Sequence, residues 1–236
     1  MNHFFIFVVR QEKLRFMNKR EFKDKVYGEL ARVTRALSNP HRLEIIELLA
    51  QGEYAVEQIA VQTGLSVANT SQHLQILKRA QLVDVTRNGN FIHYRLAGSK
   101  VFKAWKGLRD LGVDRIAAIE RLVSDFRKSK FRFDPITIDH LVNKIEAGKV
   151  TILDVRPESE FRTARIASAI SIPFDQLNER MNELPKGQEI IAYCRGPFCV
   201  YADDAVALLM KAGYKASRLE EGFPDWAVMG LPVETN

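Results

Sequence analysis

Between residues 22 and 37 the apolar side chains fall at Phe22, Val26, Leu30, Val33 and Leu37, steps of four, four, three and four that put them on one stripe of an amphipathic helix. Ser38-Asn39-Pro40 then supplies a capping side chain and a proline at the first helical position. It opens a second helix with Leu43, Ile46 and Leu49 on one side, Ile45 and Leu48 beside them, and Gln51-Gly52 as its end. A short helix is predicted over 56–60, with a break at Thr63-Gly64, and another begins at Ser66 with Val67, Thr70, Leu74 and Leu77 facing inward. This is helix-turn-helix spacing. Val83 to Val85 and then Ile92, Tyr94 and Leu96 alternate on either side of Asn88-Gly89, a hairpin signal, with Arg87, His93 and Arg95 facing outward. A last helical pattern over 99–126 carries Val101, Trp105, Leu108, Ile116, Ile119, Leu122 and Val123, more apolar surface than a lone exposed helix needs.

Beyond residue 134 the pattern changes. Short apolar runs at 150–155, 170–172, 189–193 and 216–219 alternate with helical patterns at 141–146, 176–184 and 200–211, as in an α/β domain with a mostly parallel sheet. Two domains are therefore expected: a mainly α winged helix with a β-hairpin wing over 17–126, and an α/β domain over 135–236, joined by a basic linker at 127–134. Residues 1–16 continue neither pattern, and Met17-Asn18-Lys19-Arg20 reads like a chain start, so they are taken as a tail: a misassigned start or an amphipathic docking strand.

Charge separates the same two halves. Residues 1–130 carry +10 (23 Lys and Arg against 13 Asp and Glu), and residues 131–236 carry −4 (12 against 16). A basic half fits a polyanion such as DNA, because phosphate neutralisation supplies most of the affinity. The longest apolar run, residues 4–9, falls far short of the roughly 20 residues a spanning helix needs, which excludes such a helix and any membrane partner. It is also too short for a secretion signal and has no basic residue ahead of it, so a cytoplasmic protein is expected. Two cysteines exclude a disulfide scaffold and direct attention to each thiol.

In the helix that starts at Ser66 the outward positions are Ala68, Asn69, Ser71, Gln72, His73 and Gln75, small or hydrogen-bonding side chains suited to base edges in a major groove. Lys78 and Arg79 at its end, with Arg87 and Arg95 in the wing, can meet phosphate. The segments Ala36-Leu37-Ser38-Asn39-Pro40-His41-Arg42-Leu43-Glu44-Ile45-Ile46, Leu65-Ser66, Ser71-Gln72-His73-Leu74, Leu82-Val83 and Tyr94-Arg95-Leu96 resemble the arsenic-repressor (ArsR) class of bacterial transcription factors over about 20–98. That resemblance implies a homodimer on a palindromic double-stranded operator, with residues 20–37 and 99–126 forming the dimer interface. Many members of the class sense metals through cysteines ahead of the recognition helix. The matching stretch here, Glu53-Tyr54-Ala55-Val56-Glu57-Gln58, has none, and His41, His73 and His93 lie in unrelated places, so no metal site is expected.

Both cysteines sit in one loop, Cys194-Arg195-Gly196-Pro197-Phe198-Cys199, between the strand pattern 189–193 and a helix. Crevices at the carboxyl ends of parallel strands bind ligands, and backbone N–H groups, the helix dipole and Arg195 would favour the Cys194 thiolate. Phosphatase chemistry would need an arginine six positions after the cysteine, where this chain has Val200. The segments Leu153-Asp154-Val155-Arg156-Pro157, Glu160-Phe161, Ala169-Ile170-Ser171-Ile172-Pro173, Tyr193-Cys194-Arg195-Gly196, Glu221-Gly222-Phe223-Pro224-Asp225-Trp226 and Gly230-Leu231-Pro232-Val233 resemble a rhodanese (sulfurtransferase) domain over 135–234. The resemblance implies that Cys194 takes a sulfane sulfur from thiosulfate, a persulfide or a polysulfide and passes it on without a cofactor. With Cys194, the loop residues Arg195, Gly196 and Phe198 are taken as the catalytic set, and Asp154, Arg156 and Trp226 as its structural motif. Three positions depart from the family. The usual Gly-His-Ile is Ala164-Arg165-Ile166, Pro197 removes a loop N–H, and Cys199 is either a resolving thiol that closes a disulfide on Cys194 or a buried, inert one.

The leading expectation is a dimeric DNA-binding repressor whose attached domain receives sulfur or an oxidant at Cys194 and so changes operator affinity. The alternatives are a sulfurtransferase tethered to a DNA-binding domain without signalling, and a loop that captures trivalent arsenic through both thiols.

Overall fold

A computed structural model of the chain describes residues 17–89, 91–128 and 135–236; the expected tail, 1–16, and most of the expected linker, 129–134, lie outside the described residues. Asn18 caps α1 (Lys19–Leu37) by accepting from the Glu21 N–H, and Asn39 caps α2 (Pro40–Leu49) with proline in its first turn, as the sequence implies. A two-residue strand β1 (Tyr54–Ala55), unsignalled by any period, leads into α3 (Val56–Thr63), which stops at Gly64 in the left-handed conformation, φ 66°. Then come α4 (Val67–Arg79) and the wing strands β2 (Val83–Asn88) and β3 (Phe91–Leu96). β1 joins the wing as a third strand, pairing Tyr54 with Tyr94. The hairpin turns one residue later than expected: Asn88 still pairs with Phe91, and Gly89 takes φ 60°.

The helical pattern over 99–126 is two helices, α5 (Ser99–Arg115) and α6 (Ala117–Lys128), because Ile116 leaves helical geometry at φ −109° and ψ 88°. α6 therefore runs two residues into the expected linker. One core unites α1 to α5 and the wing through Ile45, Ile46, Ile59, Leu74, Leu77, Tyr94, Phe102 and Trp105. Most of the first stripe stays outside it: Phe22, Val26 and Leu30 are exposed, together with Leu108, Ile116 and Leu122.

The second half opens with α7 (Ile138–Glu146), capped by Thr137. Next come β4 (Val150–Asp154), α8 (Glu158–Thr163), β5 (Arg165–Ile166), β6 (Ile170–Ser171), the short α9 (Leu177–Arg180), β7 (Glu189–Tyr193), α10 (Tyr201–Lys211), β8 (Ala216–Arg218), α11 (Phe223–Val228) and β9 (Val233–Glu234). The four central strands are parallel in the order β6-β4-β7-β8, and β5 pairs antiparallel with β9. Ile152 to Asp154 and Ile190 to Tyr193 are buried without alternation because both sheet faces are covered. Leu177, Val206 and Leu209 pack on one face, and Ile138, Leu141, Phe223 and Trp226 on the other. Sequence periodicity missed α8, α11 and the β5–β9 pair, which are too short for a helical or strand period to emerge. Among the described residues no helix is long and apolar enough to cross a membrane.

The halves meet through buried polar contacts. Arg109 of α5 donates to Asp225 of α11 at 2.6 Å, both being almost without exposed surface. Val228 packs on the first core. Glu47 of α2 is wedged at the junction, and its Oε1 has no hydrogen-bond partner among the described residues. Burial pushes its carboxyl up to about 7, against a partial offset from Arg109.

Truncating one member of the Arg109–Asp225 pair leaves the other charge buried and unpaired. Asp225→Ala should lower unfolding free energy by about 3–5 kcal/mol in urea titrations, and the double Arg109→Met, Asp225→Leu should cost less than the single substitution. For Glu47 the folded chain holds its proton more tightly than the unfolded chain, whose carboxyl has its ordinary value of 4.5. Its contribution is thus full below that value and is lost as pH rises through about 7. Glu47→Gln should exceed the unsubstituted chain in stability at pH 8, by about 3 kcal/mol at most, and match it near pH 4.

Candidate functional site

Two surfaces carry the residues singled out in the sequence. The first is α4. Ser66 serves as its N-cap, accepting from the Asn69 N–H at 3.3 Å, while Thr70, Leu74 and Leu77 are buried. Ala68, Asn69, Gln72, Lys78 and Arg79 are exposed, and Ser71 and His73 are half-buried. Val67, expected to face inward, is exposed at the first position of α4. The His73 ring lies 5.6 Å from that of His41 at the start of α2, and burial, with Arg42 and His41 adding to it, lowers its affinity for a proton. Gln75 is exposed as expected, and its amide donates to the Tyr94 hydroxyl at 3.3 Å. In the wing Arg87 and Arg95 are exposed, Arg95 lying 3.6 Å from Asp84. His93, expected outward, is half-buried across from Thr86 with its Nδ1 enclosed, and Ile92, expected inward, is exposed across from Arg87. The added strand β1 lies against β3 at Tyr54 and Ala55, opposite Tyr94 and His93, and covers that side of the ribbon.

The second surface is the cysteine loop at the end of β7, held by a buried frame. Asp154 and Arg156 have no exposed surface and pair twofold, with Arg156 Nη2 to Asp154 Oδ2 at 2.6 Å and Nε to Oδ1 at 3.0 Å. Arg156 also donates to the Ala164 carbonyl at 2.8 Å and lies 4.4 Å over the Phe223 ring. Tyr193, the residue before Cys194, donates to Asp154 at 2.5 Å. Trp226 donates to the Pro232 carbonyl at 2.8 Å and tethers the chain end beneath α11.

Cys194 is buried, and its carbonyl accepts from the Phe223 N–H at 3.1 Å. A disulfide joins it to Cys199 with a Cα–Cα separation of 6.3 Å, within the range such bonds span. The turn between them closes by a Cys199 N–H to Gly196 carbonyl bond at 3.1 Å. Phe198 is 39% exposed, at the loop's open side. Gly222 passes so close behind the loop that a Cβ there would stand 2.3 Å from the Arg195 carbonyl. Arg195 does not point its charge at the thiols: Glu160, 2% exposed on α8, binds it at 2.5 and 3.0 Å.

The loop is also contacted from the DNA-side half, which sequence reasoning missed. Gln51 at the end of α2 is 1% exposed; it donates to the Arg195 carbonyl at 3.2 Å and accepts from Arg156 at 3.0 Å. Arg127 of α6 donates to the Pro197 carbonyl and pairs with Asp203 at 3.5 Å. A Cβ on Gly196 would stand 2.9 Å from Glu47 Oε1. No local signal marks these residues, since Glu47 and Gln51 read as an ordinary helix end and Arg127 as linker charge.

Known proteins match both halves. The family described as "Bacterial regulatory protein, arsR family" matches residues 39–85, and "Rhodanese-like domain" matches residues 137–228. HTH-type transcriptional regulator Rv0324 of Mycobacterium tuberculosis is 40% identical over 212 residues, 90% of this chain and 93% of that protein. A sulfurtransferase of Allochromatium vinosum is 34% identical over 85 residues, 36% of this chain and 78% of that protein. Among solved structures, the homodimeric winged helix-turn-helix DNA-binding domain Mb0332 (fragment 1–100) of Mycobacterium bovis is 37% identical, with 43% of this chain and 94% of that one covered at a TM-score of 0.40. With a relative matched over nearly its full length, the chain belongs to the ArsR family of bacterial DNA-binding transcriptional regulators and carries a rhodanese-like domain behind its winged helix.

Proposed function

We propose that the chain is a homodimeric repressor whose operator affinity is set by the sulfur state of Cys194. The observation that carries this reading is that three consecutive residues of the reactive loop are each met by the DNA-binding half: Arg195 by Gln51, Gly196 by Glu47 and Pro197 by Arg127. A loop so clasped cannot change its backbone without disturbing α2 or α6. α2, about 15 Å long, has Gln51 just past its far end and His41, beside His73 of the recognition helix, at its near end. The exposed Phe22, Val26, Tyr27 and Leu30 of α1, with Leu108 of α5, Ile116 between the two helices and Leu122 of α6, offer the apolar surface a second copy would cover.

The chemistry is a two-step oxidation of the loop. The Cys194 thiolate attacks the sulfane sulfur of a persulfide or polysulfide, forming Cys194–S–SH and expelling the donor's remaining thiolate. Cys199 thiolate then attacks the Cys194 sulfur, hydrosulfide leaves, and the Cys194–Cys199 disulfide forms. The 6.3 Å Cα–Cα separation supports this resolving role for Cys199. A second reading, an active sulfurtransferase without signalling, draws on the similarity to the Allochromatium vinosum sulfurtransferase. It expects thiosulfate:cyanide turnover that Cys194→Ser abolishes, with no DNA response.

The deciding experiment is operator affinity by anisotropy, at fixed salt, on the DNA upstream of the chain's own gene. Polysulfide-treated protein should bind at least tenfold more weakly than reduced protein, and Cys194→Ser should show no such change. Equal affinities with Cys194 modified by mass would overturn the regulatory reading. On the DNA side, Gln72→Ala should lower discrimination between operator and random DNA. Arg87→Ala should weaken both about equally and reduce the salt slope by about 1.

A further inference from the structure

The cysteine loop is poorly equipped to hold a doubly charged donor. A thiosulfate dianion needs convergent N–H groups and a cation. Pro197 has no N–H, and that of Cys199 is used by the Gly196 carbonyl. The nearby cations are each bound to a carboxylate: Arg195 to Glu160, Arg127 and Arg218 to Asp203, and Arg109 to Asp225. A cleft of about 330 Å³, reached by Tyr201 two residues after Cys199, is walled by the stacked rings of Phe174 and Tyr201, 5.4 Å apart. Its ionisable side chains other than Tyr201 are Glu158 and Asp175, with no lysine or arginine among the lining residues. Against Gly196 itself stands the Glu47 carboxyl, with one oxygen enclosed and unpartnered.

We propose that Cys194 selects neutral or singly charged sulfane donors, organic hydropersulfides of the form R–S–SH, and that Glu47 from the DNA-binding half enforces this choice against dianionic thiosulfate. This rests on the reading that Cys194 takes up sulfane sulfur. In the favoured reaction Cys194 thiolate bonds to the terminal sulfur, the donor S–S bond breaks, and R–S⁻ leaves with the electron pair. With thiosulfate the leaving group is sulfite, a dianion released from a loop whose Gly196 stands against the Glu47 carboxyl. The charged groups around Glu47 are Glu44 on its own helix, Arg109 on α5, Asp225 on α11 and Arg195 of the loop. Since Arg109 and Arg195 are already bound to Asp225 and Glu160, they offset an ionised Glu47 only in part. Because burial holds its carboxyl up at about 7, the barrier to thiosulfate grows between pH 6 and pH 8.

The test follows Cys194 persulfide formation by intact mass in the reduced full-length chain, on a Cys199→Ser background that retains the persulfide. The probes are thiosulfate and cysteine hydropersulfide, at pH 6 and 8. Hydropersulfide should react at least tenfold faster than thiosulfate at pH 8. Glu47→Gln should accelerate thiosulfate at least threefold at pH 8 and less than twofold at pH 6, while changing the hydropersulfide rate less than twofold at either pH. Comparing each variant with its parent for one donor cancels the ionisation of Cys194 and of the donor, and a merely disturbed fold would move both donors together. Pro197→Ala, which returns an N–H to the loop, should also raise the thiosulfate rate selectively. Thiosulfate as fast as hydropersulfide in the parent, or equal effects of Glu47→Gln on both donors, overturns the proposal and leaves sulfur uptake standing. Failure of both donors to modify Cys194 overturns the uptake reading and the proposal with it.

Discussion

Arg156 is the residue on which the rest of the molecule hangs. A guanidinium with no exposed surface is tolerated only if nearly every donor is used. Asp154 takes two sides of it, the Ala164 carbonyl a third and Gln51 a fourth, with the Phe223 ring beneath. Each partner belongs to a different part of the fold. Asp154 ends β4, Ala164 leads into β5, Phe223 begins α11, and Gln51 comes from the DNA-binding half. Asp154 also holds Tyr193, so the residue ahead of Cys194 is fixed by the same carboxylate. One buried ion pair thus sets the strand end, the loop origin and the junction between halves.

The junction follows a single electrostatic rule with one exception. Its cations are paired: Arg109 with Asp225, Arg127 and Arg218 with Asp203, Arg195 with Glu160. Such pairs contribute little net stability against apolar packing, but breaking one is costly, so they fix geometry more than they add free energy. Glu47 is the exception. Arg109 is the nearest of its cations in effect and is already bound to Asp225, and the carboxyl responds by holding its proton to higher pH.

The sequence made the domain order, the recognition helix, the wing and the parallel strands legible because each carries a period or a capping signal of its own. Asn39-Pro40 opens α2 where expected, and the runs at 150–155 and 189–193 are adjacent parallel strands. Elements too short to repeat a period were not legible, among them β1 of two residues and α11 of six. Nor was the half of the candidate site supplied across the junction. Glu47, Gln51 and Arg127 gain their meaning only from groups about 70 to 150 positions away, and a side chain's neighbours at that separation leave no trace in local pattern. Arg195 illustrates the converse. Its place in the loop suggested a cation for the thiolate, but Glu160 on a neighbouring helix takes that charge.

The contacts between the halves are made to backbone carbonyls of the loop rather than to its side chains, and this bears on how a switch would work. A carbonyl reports the path of the chain, so Gln51 on Arg195 and Arg127 on Pro197 sense loop shape whatever group sits on sulfur. On the proposed reading, opening the link between residues 194 and 199 would release a constraint on that path. A buried neutral hydrogen bond is worth about 1 kcal/mol and a charged one about 1.5–3 kcal/mol. Losing both contacts, and with Gln51 one partner of the buried Arg156, amounts to several kcal/mol. A shift from mostly bound to mostly released needs a difference of about 5.5 kcal/mol between states. Two copies in a dimer would each contribute, so the loop contacts of a single chain need supply only part of it.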